Sequence, residues 1–111
     1  MPGKKPPTQE LNFAAKKPTV DEILALGAQL NRTSTDFLKV DLETALTFAG
    51  IALQNASDSV KRQRNQRNAR RGYDMIVRLV GKVALSDEDT RFLARNLSRL
   101  KTELQQLGET F

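Results

Sequence analysis

Residues 86–108 read SDEDTRFLARNLSRLKTELQQLG, and this stretch decides the expected fold. Three acidic residues follow Ser86, and negative charge is favourable at the N-terminal end of a helix. Gly108 stands where a glycine commonly terminates a helix. Between these ends, leucines recur at alternating spacings of four and three residues, at Leu93, Leu97, Leu100, Leu104 and Leu107. The stretch therefore predicts a helix with one apolar stripe.

The leucine stripe needs an apolar partner surface, and two kinds of partner fit it. One is a seam inside a helical bundle, and the other is a coiled coil between chains. The stripe covers only about two heptads, which is short for an independent coiled coil. The spacing therefore favours a seam that packs against other helices of the same chain.

Upstream of this stretch, residues 19–35 predict a short helix and a turn. Residues 19–22, Thr-Val-Asp-Glu, fit a capping box, in which the hydroxyl and the carboxylate each accept a backbone N–H. Apolar residues then recur at helical spacing, which predicts a helix over about 20–30. Residues 31–35, Asn-Arg-Thr-Ser-Thr, have the composition of a turn.

A second helix is predicted from about Asp41 to Ala56. Its inward stripe consists of Leu42, Ala45, Leu46, Ala49, Ala52, Leu53 and Ala56. Phe48 and Ile51 lie off that stripe, so the helix is apolar on more than one side. We therefore expect it to be the central helix, with neighbours on two faces.

A third helix is predicted over about 59–83, after the capping residues 57–59. One side of it carries Asn65, Ala69, Gly72, Ile76, Val80 and Val83, flanked by Tyr73 and Leu79, and we expect the apolar members of this side to pack in the core. Two small residues, Ala69 and Gly72, allow another helix to approach closely, and Phe48 is the expected filler. Residues 61–68 have no apolar member, so we expect this part to project past the core rather than to bury Asn65.

These elements together predict an all-α fold, a small antiparallel bundle of three long helices and one short N-terminal helix over residues 19–111. Residues 1–18 hold all four prolines and four lysines, which predicts a flexible basic tail. Leu11, Phe13 and Ala14 are the residues of the tail that could dock on the domain or on a partner.

The charge of the chain is concentrated in the tail and in the third helix. Residues 57–85 carry eight basic and two acidic side chains, whereas the whole chain has a net charge of +5. Five cations share the helix side opposite the expected core, over roughly 27 Å of helix at a 1.5 Å rise per residue. This candidate anion- or partner-binding face consists of Arg64, Arg67, Arg71, Arg78 and Lys82.

Three interpretations of this basic face remain open. Its cations could form ion pairs with acidic residues of neighbouring helices, which would make it an ordinary solvated surface. They could bind an acidic protein or an anionic surface, since arginine suits bidentate recognition of carboxylate and phosphate. They could also bind nucleic acid non-specifically, although no aromatic platform lies beside them.

Composition makes an enzyme improbable. The chain has no cysteine and no histidine, so thiol and imidazole chemistry and the usual zinc ligands are excluded. The carboxylate groups at 21–22 and 87–89 are explained by helix capping. We expect no cofactor, no metal, no small-molecule ligand and no membrane span, and a cytoplasmic location because no signal peptide is visible. The expected function is a protein-interaction module, an adaptor or a self-association unit; the alternative is a nucleic-acid-associated protein.

The stretch 68–76, Asn-Ala-Arg-Arg-Gly-Tyr-Asp-Met-Ile, resembles helices of tetratricopeptide-type arrays and of microtubule-interacting-and-transport domains. The resemblance implies helix packing through small residues. The tryptophan and proline of the tetratricopeptide pattern and its 34-residue repeat are missing from this chain. No functional residue is therefore transferred from either family.

Overall fold

A computed structural model describes residues 19–111, which contain three helices and no strand. We number them α1, Val20–Gln54, α2, Ser59–Val80, and α3, Asp87–Gln106. The predicted all-α class is confirmed. None of these three helices is both long enough and apolar enough to cross a membrane.

The predicted turn at 31–35 is wrong, because α1 runs as one helix through these residues. Two of their side chains form hydrogen bonds that leave the helix unbroken. The Thr35 hydroxyl donates to the Asn31 carbonyl at 2.9 Å, one helical turn back. The Asn31 carboxamide bonds both backbone groups of Ala84, donating to its carbonyl at 2.5 Å and accepting its N–H at 2.9 Å. The short helix and the second helix of the sequence prediction are therefore one element.

The chain divides into two compact units, one ending at Leu30 and the other comprising Asn31–Phe111. In the first unit, the capping box is confirmed: Thr19 N–H donates to Glu22 Oε1 at 2.9 Å, and Glu22 N–H donates to Thr19 Oγ1 at 3.1 Å. The helical residues of this unit include exposed apolar side chains, Val20, Ile23, Leu24, Leu26 and Leu30. The predicted tail over 1–18, with Leu11, Phe13 and Ala14, lies outside the described residues.

The second unit is an antiparallel three-helix bundle. Asn31 of α1 bonds Ala84, just beyond the end of α2. Further along α1, Ala45 lies next to Gly72, in the middle of α2. The two helices therefore run in opposite directions. Arg70 of α2 reaches Glu109, which follows α3, so α2 and α3 also run antiparallel. Short connections between long helices favour this arrangement.

The core of the second unit combines leucines from α1 and α3 with alanines and one isoleucine. Its buried members are Leu38, Leu42, Ala45, Ala49, Ala69, Ile76, Leu93, Leu100 and Leu104, with Leu97 and Leu107 packed against them. The leucine stripe of α3 is therefore a seam inside the bundle, as the spacing predicted. Leu38 and Thr35 are buried although they precede the predicted start of the second helix. Ala56, which was predicted to face inward, is exposed.

The helices α1 and α2 approach each other closely at Gly72. A Cβ atom added there would lie 2.9 Å from the Ala45 Cβ atom, inside the ordinary contact distance of about 3.5–4.0 Å between carbon atoms. The prediction that Gly72 allows a close approach is confirmed, but Ala45 occupies the facing position rather than Phe48. Phe48 lies at the side of this contact, partly buried against the core.

The predicted projection of residues 61–68 past the core is wrong. Asn65 is only 6% exposed, and its Nδ2 donates to the Lys61 carbonyl at 2.9 Å. Gln66 bonds Glu109, and Arg62 donates to the Ala56 carbonyl at 2.7 Å. The first half of α2 is therefore held by residues that follow α1 and α3, and its buried Asn65 side chain is satisfied within the helix.

Side chains and one glycine define the helix ends in the second unit. The Asp58 carboxylate accepts from Lys61 N–H at the start of α2, and the Ser86 hydroxyl accepts from Asp89 N–H at the start of α3. Gly108 has φ 98°, which only glycine adopts readily. The Glu109 and Gly108 N–H groups bond the Leu104 and Gln105 carbonyls, the pattern of a Schellman motif. The predicted terminating role of Gly108 is confirmed.

Gly72→Ala should lower the free energy of unfolding by about 1–2 kcal/mol, because overpacking against Ala45 exceeds the roughly 1 kcal/mol gain in helix propensity. Gly50→Ala is the matched control, since nothing lies within 4 Å of a Cβ added at that position. The control should stabilise the chain by up to about 1 kcal/mol. Urea denaturation of both variants measures the difference, and an equal gain in both would refute the steric role of Gly72.

Candidate functional site

We call Arg64, Arg67, Arg71, Arg78 and Lys82 the basic stripe. All five lie on α2 or just after it, and all five are exposed. Within residues 19–111, none of them forms an ion pair. Among the described residues, the neighbouring helices therefore supply no ion-pair partner to these cations. The opposite helix side carries Ala69 and Ile76, which are buried as the sequence predicted, and Asn65, which is buried although it was predicted to project.

The ion pairs of the second unit involve other cations. Lys39 Nζ lies 2.6 Å from Asp89 Oδ1 and joins α1 to the first turn of α3. The hydrogen bond from Lys39 lowers the pKa of Asp89, and the same bond raises the pKa of Lys39. Arg99 pairs with Glu103 within α3. The acidic start of α3 thus serves capping and an interhelical pair.

Arg70 is the most highly connected cation in residues 19–111. Its Nε donates to Asp74 Oδ1 at 3.1 Å, and its Nη1 donates to Glu109 Oε1 at 2.9 Å and to the Thr110 carbonyl at 2.8 Å. The hydrogen bond to Asp74 is the main cause that raises the pKa of Arg70. Arg70 is therefore neutralised, whereas its neighbour Arg71 is not.

Residues 109–111 fold back against α2. Glu109 and Thr110 are bonded to Arg70, and the Arg70 guanidinium carbon lies 4.1 Å from the centroid of the Phe111 ring. The centroids of the Phe111 and Tyr73 rings are 5.0 Å apart in an edge-to-face arrangement. Cation–π and edge-to-face contacts of this kind are favourable. Sequence reasoning missed this segment, although the prediction that Gly108 ends the helix located the turn that directs it.

A groove of about 780 Å³ opens where the end of α1, the first half of α2 and the end of α3 meet. We call it the end groove. Arg67 and Arg71 of the basic stripe line it, together with Arg62 and with the apolar side chains of Ala52, Leu53, Ala56 and Leu107. Gln66, Arg70 and Glu109 also line it, so the folded-back segment lies at one side of the groove.

The structure divides the basic stripe between two depressions. Arg71 and Arg78 line a second crevice of about 570 Å³, beside Phe48 and Met75. Asp41 also lines it, and Asp41 Oδ2 is buried with no hydrogen-bond partner among residues 19–111. Arg64 and Lys82 line neither depression. Of the five stripe residues, only Arg67 and Arg71 therefore reach the larger groove.

The part of the chain that the structure describes holds no group of three or more carboxylates, histidines or cysteines able to bind a metal ion. Glu22 caps α1, and Asp58 caps α2. Asp89 pairs with Lys39. These carboxylates therefore have structural roles in the fold.

No family model, no curated protein and no solved structure matches this chain. The similarity of residues 68–76 to tetratricopeptide-type and microtubule-interacting helices thus remains a local resemblance. The class of the protein is defined by its own structure: an all-α chain whose second unit is a three-helix bundle with an unpaired basic stripe beside a groove.

Arg70→Ala should release residues 109–111 from α2, because it removes the hydrogen bonds to Glu109 and Thr110 and the cation that lies over the Phe111 ring. It also removes the two hydrogen bonds to Asp74. The expected loss of stability is about 1 kcal/mol. The ¹⁵N heteronuclear NOE of these residues should fall. Arg71→Ala is the matched control, since it removes a neighbouring arginine without a partner, and an unchanged NOE in both variants would contradict the assignment.

Proposed function

We propose that this chain is a small non-enzymatic protein-interaction module, an adaptor or a self-association unit. One observation carries the proposal: two unpaired arginines of the basic stripe line a groove that also has apolar side chains. Protein interfaces combine an apolar centre with polar and charged surroundings, and arginine is enriched in them.

The unpaired state of the stripe supports a partner outside the chain. The chain has 13 acidic side chains. Several of those within residues 19–111 cap helices or pair with cations outside the stripe. Five like charges on one helix face repel one another, and an acidic partner would relieve that repulsion. The exposed apolar side chains of residues 20–30 add support, since clusters of this kind commonly occur at protein contacts.

Nucleic-acid binding is the second candidate, and the same unpaired cations favour it. Five phosphate contacts would make the affinity for duplex DNA fall with salt at a log–log slope of about −4.5. The helix offers no exposed aromatic platform for stacking bases, because Tyr73 is partly buried and contacts Phe111. The groove's apolar side chains also have no role in phosphate binding. We therefore place this candidate second.

Affinity capture with the full chain tests the proposal. Three baits are compared on a nuclease-treated native lysate: the wild type, Arg67→Ala with Arg71→Ala, and Arg91→Ala with Arg95→Ala. The control pair has the same i,i+4 spacing and lies exposed and unpaired on α3. We expect proteins that the wild type and the α3 variant retain and that the α2 variant loses, because Arg67 and Arg71 line the groove whereas Arg91 and Arg95 do not.

Two outcomes would contradict the proposal. Identical proteins on all three baits would show that the groove arginines bind no partner. Capture of partners from untreated lysate, all of them lost after nuclease treatment, would transfer the assignment to nucleic acid. In that case duplex DNA should bind directly, and Arg67→Ala with Arg71→Ala should flatten the salt slope by about two units.

A further inference from the structure

We infer that the end groove binds an acidic peptide segment that also carries aliphatic side chains. The peptide carboxylates contact Arg67 and Arg71, and its aliphatic side chains contact Leu53 and Leu107. This inference rests on the proposed function and names the chemical class of the partner.

The free donors are Arg67 and Arg71, one helical turn apart on α2. Both are exposed, and within the described part of the chain neither makes an ion pair or hydrogen bond. Each guanidinium can form two parallel hydrogen bonds to one carboxylate. The spacing of one turn, about 5.4 Å, matches acidic residues four apart in a helical peptide or two apart in an extended one.

The chain's own Glu109 shows how the groove holds a carboxylate. Its Oε2 accepts from Gln66 Nε2 at 2.5 Å, and its Oε1 accepts from Arg70 Nη1 at 2.9 Å. Both donors lie on α2 and line the groove, beside Arg67 and Arg71. One carboxylate is therefore bound at one side of the groove, and two further arginines of the same wall have no acceptor.

The apolar lining selects against a ligand that is only a polyanion. Ala52 is fully buried beneath the groove, and Leu53 and Leu107 are partly buried in it. Covering such side chains with an aliphatic group is favourable, whereas a phosphodiester backbone gains nothing from them. The groove volume of about 780 Å³ is within the usual range of binding clefts, about 300–1,000 Å³. The lining and the charge together favour a peptide over nucleic acid.

Fluorescence polarisation with a defined probe tests this inference. The probe is a fluorescein-labelled peptide in which glutamates alternate with leucines, and two control peptides replace the leucines by serine or the glutamates by lysine. The full chain is titrated as wild type, as Arg67→Ala with Arg71→Ala, and as Ala56→Glu. Ala56 is exposed at the groove, so a glutamate there adds a repelling carboxylate without disturbing the core.

We expect the wild type to bind the glutamate–leucine peptide. Both groove variants should weaken this binding about tenfold or more, since one removes charged hydrogen bonds and the other adds a repelling carboxylate. Arg91→Ala with Arg95→Ala and Ala94→Glu are the matched controls on α3, and they should leave the affinity unchanged. The serine and lysine peptides should bind weakly or not at all. Circular dichroism of every variant establishes that the helices remain folded.

Three results would overturn the inference. Absence of binding to the wild type would refute the acidic peptide as the ligand class. Equal binding of the serine peptide would show that charge alone is recognised. Equal effects of the groove and α3 variants would locate binding elsewhere. None of these results determines the outcome of the lysate capture, because a partner of other chemistry would still be lost with Arg67 and Arg71. The failure of this inference can therefore be distinguished from the failure of the proposed function.

Discussion

The three-helix unit depends on how closely α1 approaches α2 where Ala45 meets Gly72. A Cβ atom at position 72 would lie 2.9 Å from the Ala45 Cβ atom, so this approach requires a glycine on one side and a small residue on the other. Buried alanines continue the contact along both helices, at Ala49, Ala52 and Ala69. Short side chains on this side allow the longer Leu38, Leu42 and Ile76 to meet the leucine seam of α3 in one core.

This packing also determines which cations remain free. With Asn65, Ala69 and Ile76 buried, the opposite side of α2 faces solvent and displays the basic stripe. The turn at Gly108 then directs Glu109 to Arg70 and Gln66, which lie beside the stripe. One arginine is neutralised in this way, while Arg67 and Arg71 keep their donors free next to apolar side chains. The groove is thus a consequence of how three helix ends meet.

Local signals predicted much of this fold, and tertiary contacts explain where prediction failed. The α3 boundaries, its caps and its seam follow from spacing and capping chemistry, which act within one helix. Residues 31–35 were predicted as a turn because their polar side chains suit one, but Asn31 instead bonds Ala84, 53 positions away in sequence. The polar start of α2 was predicted to project, yet Gln66 is held by Glu109. The five stripe residues were identified from helical periodicity, whereas the groove requires side chains from three helix ends.

A double-mutant cycle on Ala45 and Gly72 is the most direct measurement of how far the bundle depends on their close approach. Ala45→Gly removes the methyl group that a Cβ atom at position 72 would meet. The free energy of unfolding is measured for Gly72→Ala, for Ala45→Gly and for the two combined. If the close approach organises the bundle, the combined variant should be about 1–2 kcal/mol more stable than the sum of the single effects. Additivity within about 0.5 kcal/mol would contradict the account, because the two positions would then contribute independently.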